Sequence, residues 1–237
     1  MKTSFDSSWE KEYYGKAKLQ GGFPYEGAPR YPYDLVVSIV AKKFFQVPRE
    51  KRSEIAMLDL GCGAGNNAMF LAENGFSVVG IDGSPSAIEI CKERFREQGL
   101  QGEFREGDFL HLPYADGRFD FVLDRESLYA NRRNDIKEAT AEVYRVLKQG
   151  GLFLSFMYNT DHPRISRSGE EIEPNTYKDV KTGRFVGITH YADLKDVFDL
   201  FKDFSLENIM NFSLREIYNI TETLMEGTEY IIVARKL

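Results

Sequence analysis

Cysteine is scarce in this chain: two in 237 residues, Cys62 and Cys91, too few for a disulfide framework to be the source of stability. Histidine is nearly as rare, with three, and none falls in a C-x-x-C or H-x-x-x-H grouping, so no metal site is expected. Long apolar runs are missing, which excludes a spanning helix. The opening Met1-Lys2-Thr3-Ser4-Phe5-Asp6 also lacks the apolar core of a signal peptide, so the expected location is cytoplasmic, with no membrane partner. Positive charge is in deficit as well. Lys and Arg number 31 against 37 Asp and Glu, a net charge of −6, which argues against nucleic acid as a general partner. With no repeat, low-complexity stretch or clear linker, and with 42% hydrophobic residues, the length fits one α/β domain over 1–237.

What the chain does have is a concentration of glycine at one place. Asp59-Leu60-Gly61-Cys62-Gly63-Ala64-Gly65 follows the apolar run Ile55 to Leu58 and precedes Asn66-Asn67-Ala68-Met69-Phe70-Leu71-Ala72, a strand, a glycine turn and a helix. Glycines there let backbone N–H groups at a helix N-terminus lie directly against a ligand. A dinucleotide fingerprint would place its third glycine at position 66, where this chain has Asn66, and the shift points away from NAD. A second strand, Phe76 to Asp82, ends on a carboxylate that could accept both hydroxyls of a ribose. Capping the next helix does not require Asp82, because Ser84 and Pro85 already supply that cap.

Further passages continue the order. Glu103 to Glu106 is a short strand leading to Gly107-Asp108-Phe109. Leu112-Pro113-Tyr114-Ala115-Asp116-Gly117-Arg118-Phe119-Asp120-Phe121-Val122-Leu123-Asp124 leads into a fourth strand, and Val146 to Leu154 reads as helix end, glycine turn and fifth strand. Taken together, five passages over residues 55 to 158 resemble the class I S-adenosylmethionine-dependent methyltransferases of small-molecule type. The resemblance implies a three-layer, Rossmann-like fold with a seven-stranded, mostly parallel sheet in the order 3-2-1-4-5-7-6 and the last strand antiparallel. It also implies S-adenosyl-L-methionine as cofactor and S-adenosyl-L-homocysteine as product. On the same basis Asp59, Gly61, Cys62, Gly63, Gly65 and Asn66 would surround the methionine portion, Asp82, Gly83 and Ser84 the ribose, Asp108 and Phe109 the adenine, and Asp124 the methyl group.

Two segments outside this frame are available for specificity. Residues 1–34 hold Trp9, Tyr13, Tyr14, Phe23, Tyr25, Tyr31 and Tyr33, an aromatic density that suggests a helical lid, with Tyr13 toward the cofactor and Tyr14 toward the acceptor. Residues 159–190 form a polar insertion with His162, Arg164, Arg167, Tyr177, Arg184 and His190; such length without apolar periodicity is usually functional or mobile. For the acceptor, Arg125 after the fourth strand suits a phosphate or carboxylate, Tyr129 lies close by in sequence, and His190 is the candidate general base. The expected reaction is methyl transfer to a small, anionic metabolite, on oxygen. Asn66 to Gly75 also resembles the tellurite-resistance and thiopurine methyltransferases, which leaves a thiol or chalcogen acceptor open. A non-catalytic S-adenosylmethionine sensor and a nucleotide-dependent oxidoreductase are the readings from other classes.

Overall fold

The computed structural model describes residues 7, 10–14, 32, 34–163, 165, 169–179, 187–215 and 226–237. Of the residues singled out above, Trp9, Phe23, Tyr25, Tyr31, Tyr33, Arg164, Arg167, Arg184 and the side chain of Tyr13 lie outside the described residues.

Seven strands form the main sheet. β1 (Ala56–Leu60), β2 (Ser77–Asp82), β3 (Glu103–Glu106), β4 (Phe119–Arg125) and β5 (Leu147–Tyr158) run parallel to one another, β10 (Glu226–Arg235) is antiparallel to both flanking strands, and β9 (Ser205–Arg215) closes the edge. Their order is β3-β2-β1-β4-β5-β10-β9. This is the expected arrangement, with β9 and β10 as the sixth and seventh strands. Met57, Leu58, Leu60, Val122 and Leu123 are buried on both faces of the sheet, which is why these strands read as continuous apolar runs rather than alternating ones.

Helices cover both faces. On one, α1 (Asp34–Phe44) contributes Val36 and Val40, α2 (Asn66–Glu73) Ala68 and Leu71, and α3 (Pro85–Glu97) Ile88, Cys91 and Phe95. On the other, α4 (Arg133–Val146) packs Ile136, Ala139 and Val143 beside Val197 and Leu200 of α5 (Leu194–Leu200). The spacing of these residues puts each set on a single helical stripe. No helix among the described residues is long and apolar enough to cross a membrane.

β1 is the strand at which the winding reverses: β2 and β3 extend the sheet to one side and β4 and β5 to the other. The crevice outside the carboxyl ends of β1, β2 and β4 is therefore the natural ligand site of this topology.

The insertion is ordered over much of its length. β6 (Glu170–Glu173), β7 (Thr176–Asp179) and β8 (Gly187–His190) make a small antiparallel sheet in that order, and it packs on the short helical turn Leu128–Ala130 that follows β4. At the other end of the chain, a helical turn, Glu10–Tyr14, rests on α3.

Candidate active site

The glycine turn connects β1 to α2 through Gly61, Gly63 and Gly65, all with positive φ. At all three positions an added Cβ would come within 3.0 Å of a neighbour, Cys91 Sγ at 2.5 Å in the case of Gly65. A Cβ on Gly61 would stand 2.3 Å from the Cβ of Ser127, and one on Gly63 would stand 2.5 Å from the Tyr14 hydroxyl. Gly65 serves as N-cap of α2, and Arg94 braces the turn from α3, its Nη1 donating to the Ala64 carbonyl and to Asn66 Oδ1, each at 2.6 Å. The oxygen of Asn66 is thereby engaged by protein.

Three carboxylates stand at the ends of the strands around this turn. Asp59 is fully buried and accepts from the Ala68 N–H at 3.0 Å through Oδ2, while its Oδ1 has no hydrogen-bond partner among the described residues. Burial pushes its carboxyl up to about 7, against the opposing pull of the Ala68 N–H and the nearby Asn67 side chain; Asp82 and Asp124 add to the rise. Asp82 accepts from the Gly63 N–H (2.9 Å, Oδ2) and the Ser84 N–H (2.8 Å, Oδ1), and so ties the turn to the start of α3. Burial raises it to about 6, with the nearby Glu10 carboxylate contributing.

Asp124 is fully buried. Its Oδ1 takes the N–H groups of Ser127 and Leu128 and lies 2.6 Å from Ser127 Oγ, while Oδ2 accepts from Ser155 Oγ at 2.5 Å. Ser127 Oγ also sits 2.8 Å from the Leu60 carbonyl, so Asp124 locks the segment after β4 against the first glycine. Fully buried and bonded through both oxygens to Ser127, Leu128 and Ser155, Asp124 shapes the site from behind rather than meeting the methyl group, which corrects its expected role. Burial raises its pKa. Phe109 is partly buried with its ring near Gly61, and Asp108 accepts from the Leu110 N–H, forming the turn between them.

Cys62, within the turn, is buried with its thiol against that of Cys91, and this contact together with burial pushes it well above its ordinary range. Gly83 lies between Asp82 and Ser84. Ser84 caps α3, accepting the Ala87 N–H at 3.0 Å.

The N-terminal turn adds a residue that the sequence did not signal. Glu10 reaches Ser84 Oγ at 2.5 Å, and accepts from Ser86 Oγ at 2.6 Å and from the Ser86 N–H at 3.3 Å. Nothing in its sequence surroundings distinguishes Glu10 from other surface glutamates. Tyr14, assigned to the acceptor, lies instead against Gly63 of the cofactor turn.

The acceptor assignments change more. His190 is fully buried; its Nδ1 is 2.8 Å from Thr176 Oγ1 on β7, and its Nε2 is 3.5 Å from Asp196 Oδ2 on α5. Asp196 in turn bonds Arg133 Nε at 2.6 Å. Although burial opposes it, His190 and Arg133 hold the Asp196 carboxyl far below the usual range. A histidine sealed this way docks the insertion onto α4 and α5 and cannot meet a substrate as a base. Arg125, expected to hold an anion, has a side chain only 8% exposed, with Nη1 3.0 Å from Glu229 Oε2 and 2.7 Å from Glu126 Oε1, and its guanidinium lies over the Phe156 ring. Tyr129 is buried and stacked on Tyr158 with ring centroids 4.0 Å apart, in a cluster with Tyr191. Burial raises its hydroxyl pKa, so it stays protonated. Among the described residues no three His, Cys, Asp or Glu side chains come together as a metal site.

The glycine turn, the acidic strand ends and the reversal of winding at β1 coincide in one crevice, and sequence comparison agrees with them. Residues 57–151 match the family model described as a methyltransferase domain. Over these residues the chain is similar to S-adenosylmethionine-dependent methyltransferases. A demethylmenaquinone methyltransferase of Lactobacillus johnsonii is 37% identical over 117 residues, 46% of each chain. A solved S-adenosylmethionine-dependent methyltransferase of Methanosarcina mazei superposes with a TM-score of 0.63 at 25% identity, covering 77% of this chain and 92% of that one. The fold is shared too, at 14% identity and TM-score 0.63, with the 1,6-didemethyltoxoflavin-N1-methyltransferase of Burkholderia thailandensis, over 97% of this chain and 86% of the other. The chain spans about half the length of the curated relatives it matches, and the matched part is the methyltransferase domain.

Proposed function

We propose that this protein transfers the methyl group of S-adenosylmethionine to a small-molecule nucleophile. The carrying observation is the cradle at β1: a turn whose Gly61 leaves no space for a Cβ and whose Gly63 lies against Tyr14, beside a buried Asp59 with an oxygen that has no hydrogen-bond partner among the described residues. A buried carboxylate oxygen without a donor is costly unless a ligand supplies one. The cofactor's ammonium fits that requirement. The cofactor brings a methyl carbon already activated by a positive sulfur, so alignment and exclusion of water are the protein's share of catalysis.

The geometry supports the following roles. Asp59 receives the ammonium; Asp82, whose two oxygens each keep acceptor capacity after taking one backbone N–H, receives the ribose hydroxyls; Phe109 flanks the base; and Tyr14 and Glu10 cover the turn and the start of α3 from outside. The acceptor enters beyond the end of β4, past Glu126 and Ser127. Arg125 and His190 had suggested an anionic acceptor and transfer to oxygen, and neither side chain is open to a substrate, since the first is matched by two carboxylates and the second is sealed.

Calorimetric titration with S-adenosylmethionine, S-adenosylhomocysteine and NAD tests this reading. Binding of the first two with no heat from NAD is expected. Binding of NAD instead, or undiminished affinity in a folded Gly63→Val variant, would remove the crevice from consideration as the cofactor site.

A further inference from the structure

The surplus of negative charge at the end of β4 has a chemical meaning for the acceptor. Among the described residues Arg125 is the cation of this corner, and it sits between Glu126 at 2.7 Å and Glu229 at 3.0 Å. Asp124, one residue earlier, adds a third carboxyl group behind them. One guanidinium therefore faces two adjacent carboxylates, and an arriving anion would have to compete with both of them.

The two glutamates are not equivalent. Glu229, on β10 opposite Tyr158 of β5, is almost wholly removed from solvent and is the fixed partner that neutralises Arg125. Glu126 keeps 33% of its side chain exposed, so it is the carboxylate that faces a molecule entering from solvent. Its neighbour Ser127 packs on Gly61 of the cofactor turn, which places Glu126 at the junction between the cofactor crevice and the acceptor entrance. Beyond it, Tyr129 and Tyr158 present a stacked, buried aromatic wall, and Tyr177 of the insertion packs against the same cluster.

We propose that the acceptor is an amine, received as its ammonium by Glu126, with the Arg125–Glu229 pair holding that carboxylate in place. This rests on the methyltransferase reading above and names its substrate class. Charge complementarity carries it: among the described residues Glu126 and Glu229 share the single Arg125 guanidinium, and the surplus negative charge of that trio, open to solvent at Glu126, selects a cation and repels a carboxylate or phosphate. An ammonium cannot act as a nucleophile until it loses a proton. Glu126 takes that proton and passes it to water; the freed nitrogen lone pair then bonds to the methyl carbon as the carbon–sulfur bond breaks, with the electron pair staying on sulfur. The products are a methylammonium, S-adenosylhomocysteine and one proton in solution. Burial pushes Glu229 up to about 7, so the surplus of negative charge beside Arg125 is complete only above that pH.

The test uses the full chain with a panel of primary and secondary amines matched in shape to carboxylic acids and phenols. Products are read by mass and acceptor binding by calorimetry in the presence of S-adenosylhomocysteine. N-methylated products from the amine set are expected, with no methyl esters. Glu126→Gln should lower kcat/KM and binding for the reactive amine by about tenfold or more, since a charge-assisted hydrogen bond is lost, and Glu126→Asp should recover part of it. Esters or phenyl ethers without N-methyl products would overturn the proposal. So would equal amine binding in the Glu126→Gln variant, or a loss confined to S-adenosylmethionine with S-adenosylhomocysteine unaffected, which would assign the carboxylate to the sulfonium. A protein that binds S-adenosylmethionine yet methylates no amine counts against the amine alone, whereas one that binds neither cofactor form counts against the methyltransferase reading.

Discussion

Asp82 should make cofactor affinity depend on pH in a direction fixed by its surroundings. In the free protein burial raises its carboxyl to about 6, against the pull of two backbone N–H donors. Ribose hydroxyls donating to the carboxylate favour its charged form, so the bound pKa falls below the free one and binding expels a proton. If the bound value lies below about 4.5, Asp82 adds a factor of about ten to the affinity for S-adenosylhomocysteine between about pH 5 and pH 7, a gain of about 1.4 kcal/mol, beside the rise through pH 7 that Asp59 contributes when it receives the ammonium. Near pH 6 Asp82 accounts for roughly half a proton of the release per cofactor bound. Calorimetry in buffers of different ionisation enthalpy measures both quantities. Asp82→Asn, which keeps the size and one acceptor, should bind more weakly and release that half proton less, with the Asp59 part retained. A proton release near pH 6 unchanged in Asp82→Asn would show that Asp82 is committed to its backbone partners and does not meet the ribose.

Without ligand, Asp59 (about 7), Asp82 (about 6) and Glu229 (about 7) all have folded values above their unfolded ones, so the stability they contribute is full below about pH 4 and is lost as pH rises through 6 and 7; the melting temperature of the free protein should be lower near neutrality than at pH 5, and a rise over that interval would contradict the assignment. His190→Ala removes a fully buried ring and its 2.8 Å contact with Thr176 Oγ1, lowering the melting temperature while cofactor affinity is preserved; an unchanged melting temperature with abolished turnover would restore His190 as a base. Gly61→Ala pairs a φ of +71° with a 2.3 Å approach to Ser127 Cβ, so it should weaken S-adenosylhomocysteine binding and folding together, by about 1–2 kcal/mol for the backbone alone; a variant with native affinity would detach Ser127 from the site.

The parts of this molecule that were legible in sequence are those where local chemistry and long-range contact demand the same residues. β1, β2 and β4 are buried on both faces, so their apolar runs are unbroken and announce themselves; the glycine turn is legible because only glycine tolerates its backbone and the closeness of Ser127 and Tyr14. Asp59 and Asp82 were found because each stands at a strand end, a position that periodicity locates to within a residue. The acceptor side was misread for a physical reason. Arg125 and His190 look reactive as single letters, but Glu229 lies 104 residues from Arg125 in sequence and Asp196 belongs to a helix beyond the insertion. No local pattern records a partner at that distance. The insertion strands were missed on similar grounds: with few apolar residues to alternate, β6 to β8 take their order from register and from Thr176 on His190.

The same distances explain why the acidic series is tolerable in an unliganded fold. Asp59, Asp82 and Asp124 crowd one crevice, and each is raised above its ordinary range by burial, yet each first satisfies a backbone N–H that would otherwise be orphaned: Ala68 at the start of α2, Gly63 and Ser84 at the glycine turn and α3, Ser127 and Leu128 after β4. Every one of these donors lies at a loop or helix start, where the local dipoles and free N–H groups favour negative charge. The carboxylates thus hold the loops in the shape that forms the crevice, and the charge they bring is the charge that a sulfonium- and ammonium-bearing cofactor requires. Asp124 is fully buried with three donors on one oxygen and Ser155 on the other; Asp82 carries one donor on each oxygen; Asp59 has one oxygen with no hydrogen-bond partner among the described residues. The gradient from fully committed to half free runs along the crevice from the acceptor end toward the glycine turn, and it marks which carboxylates a ligand can still reach.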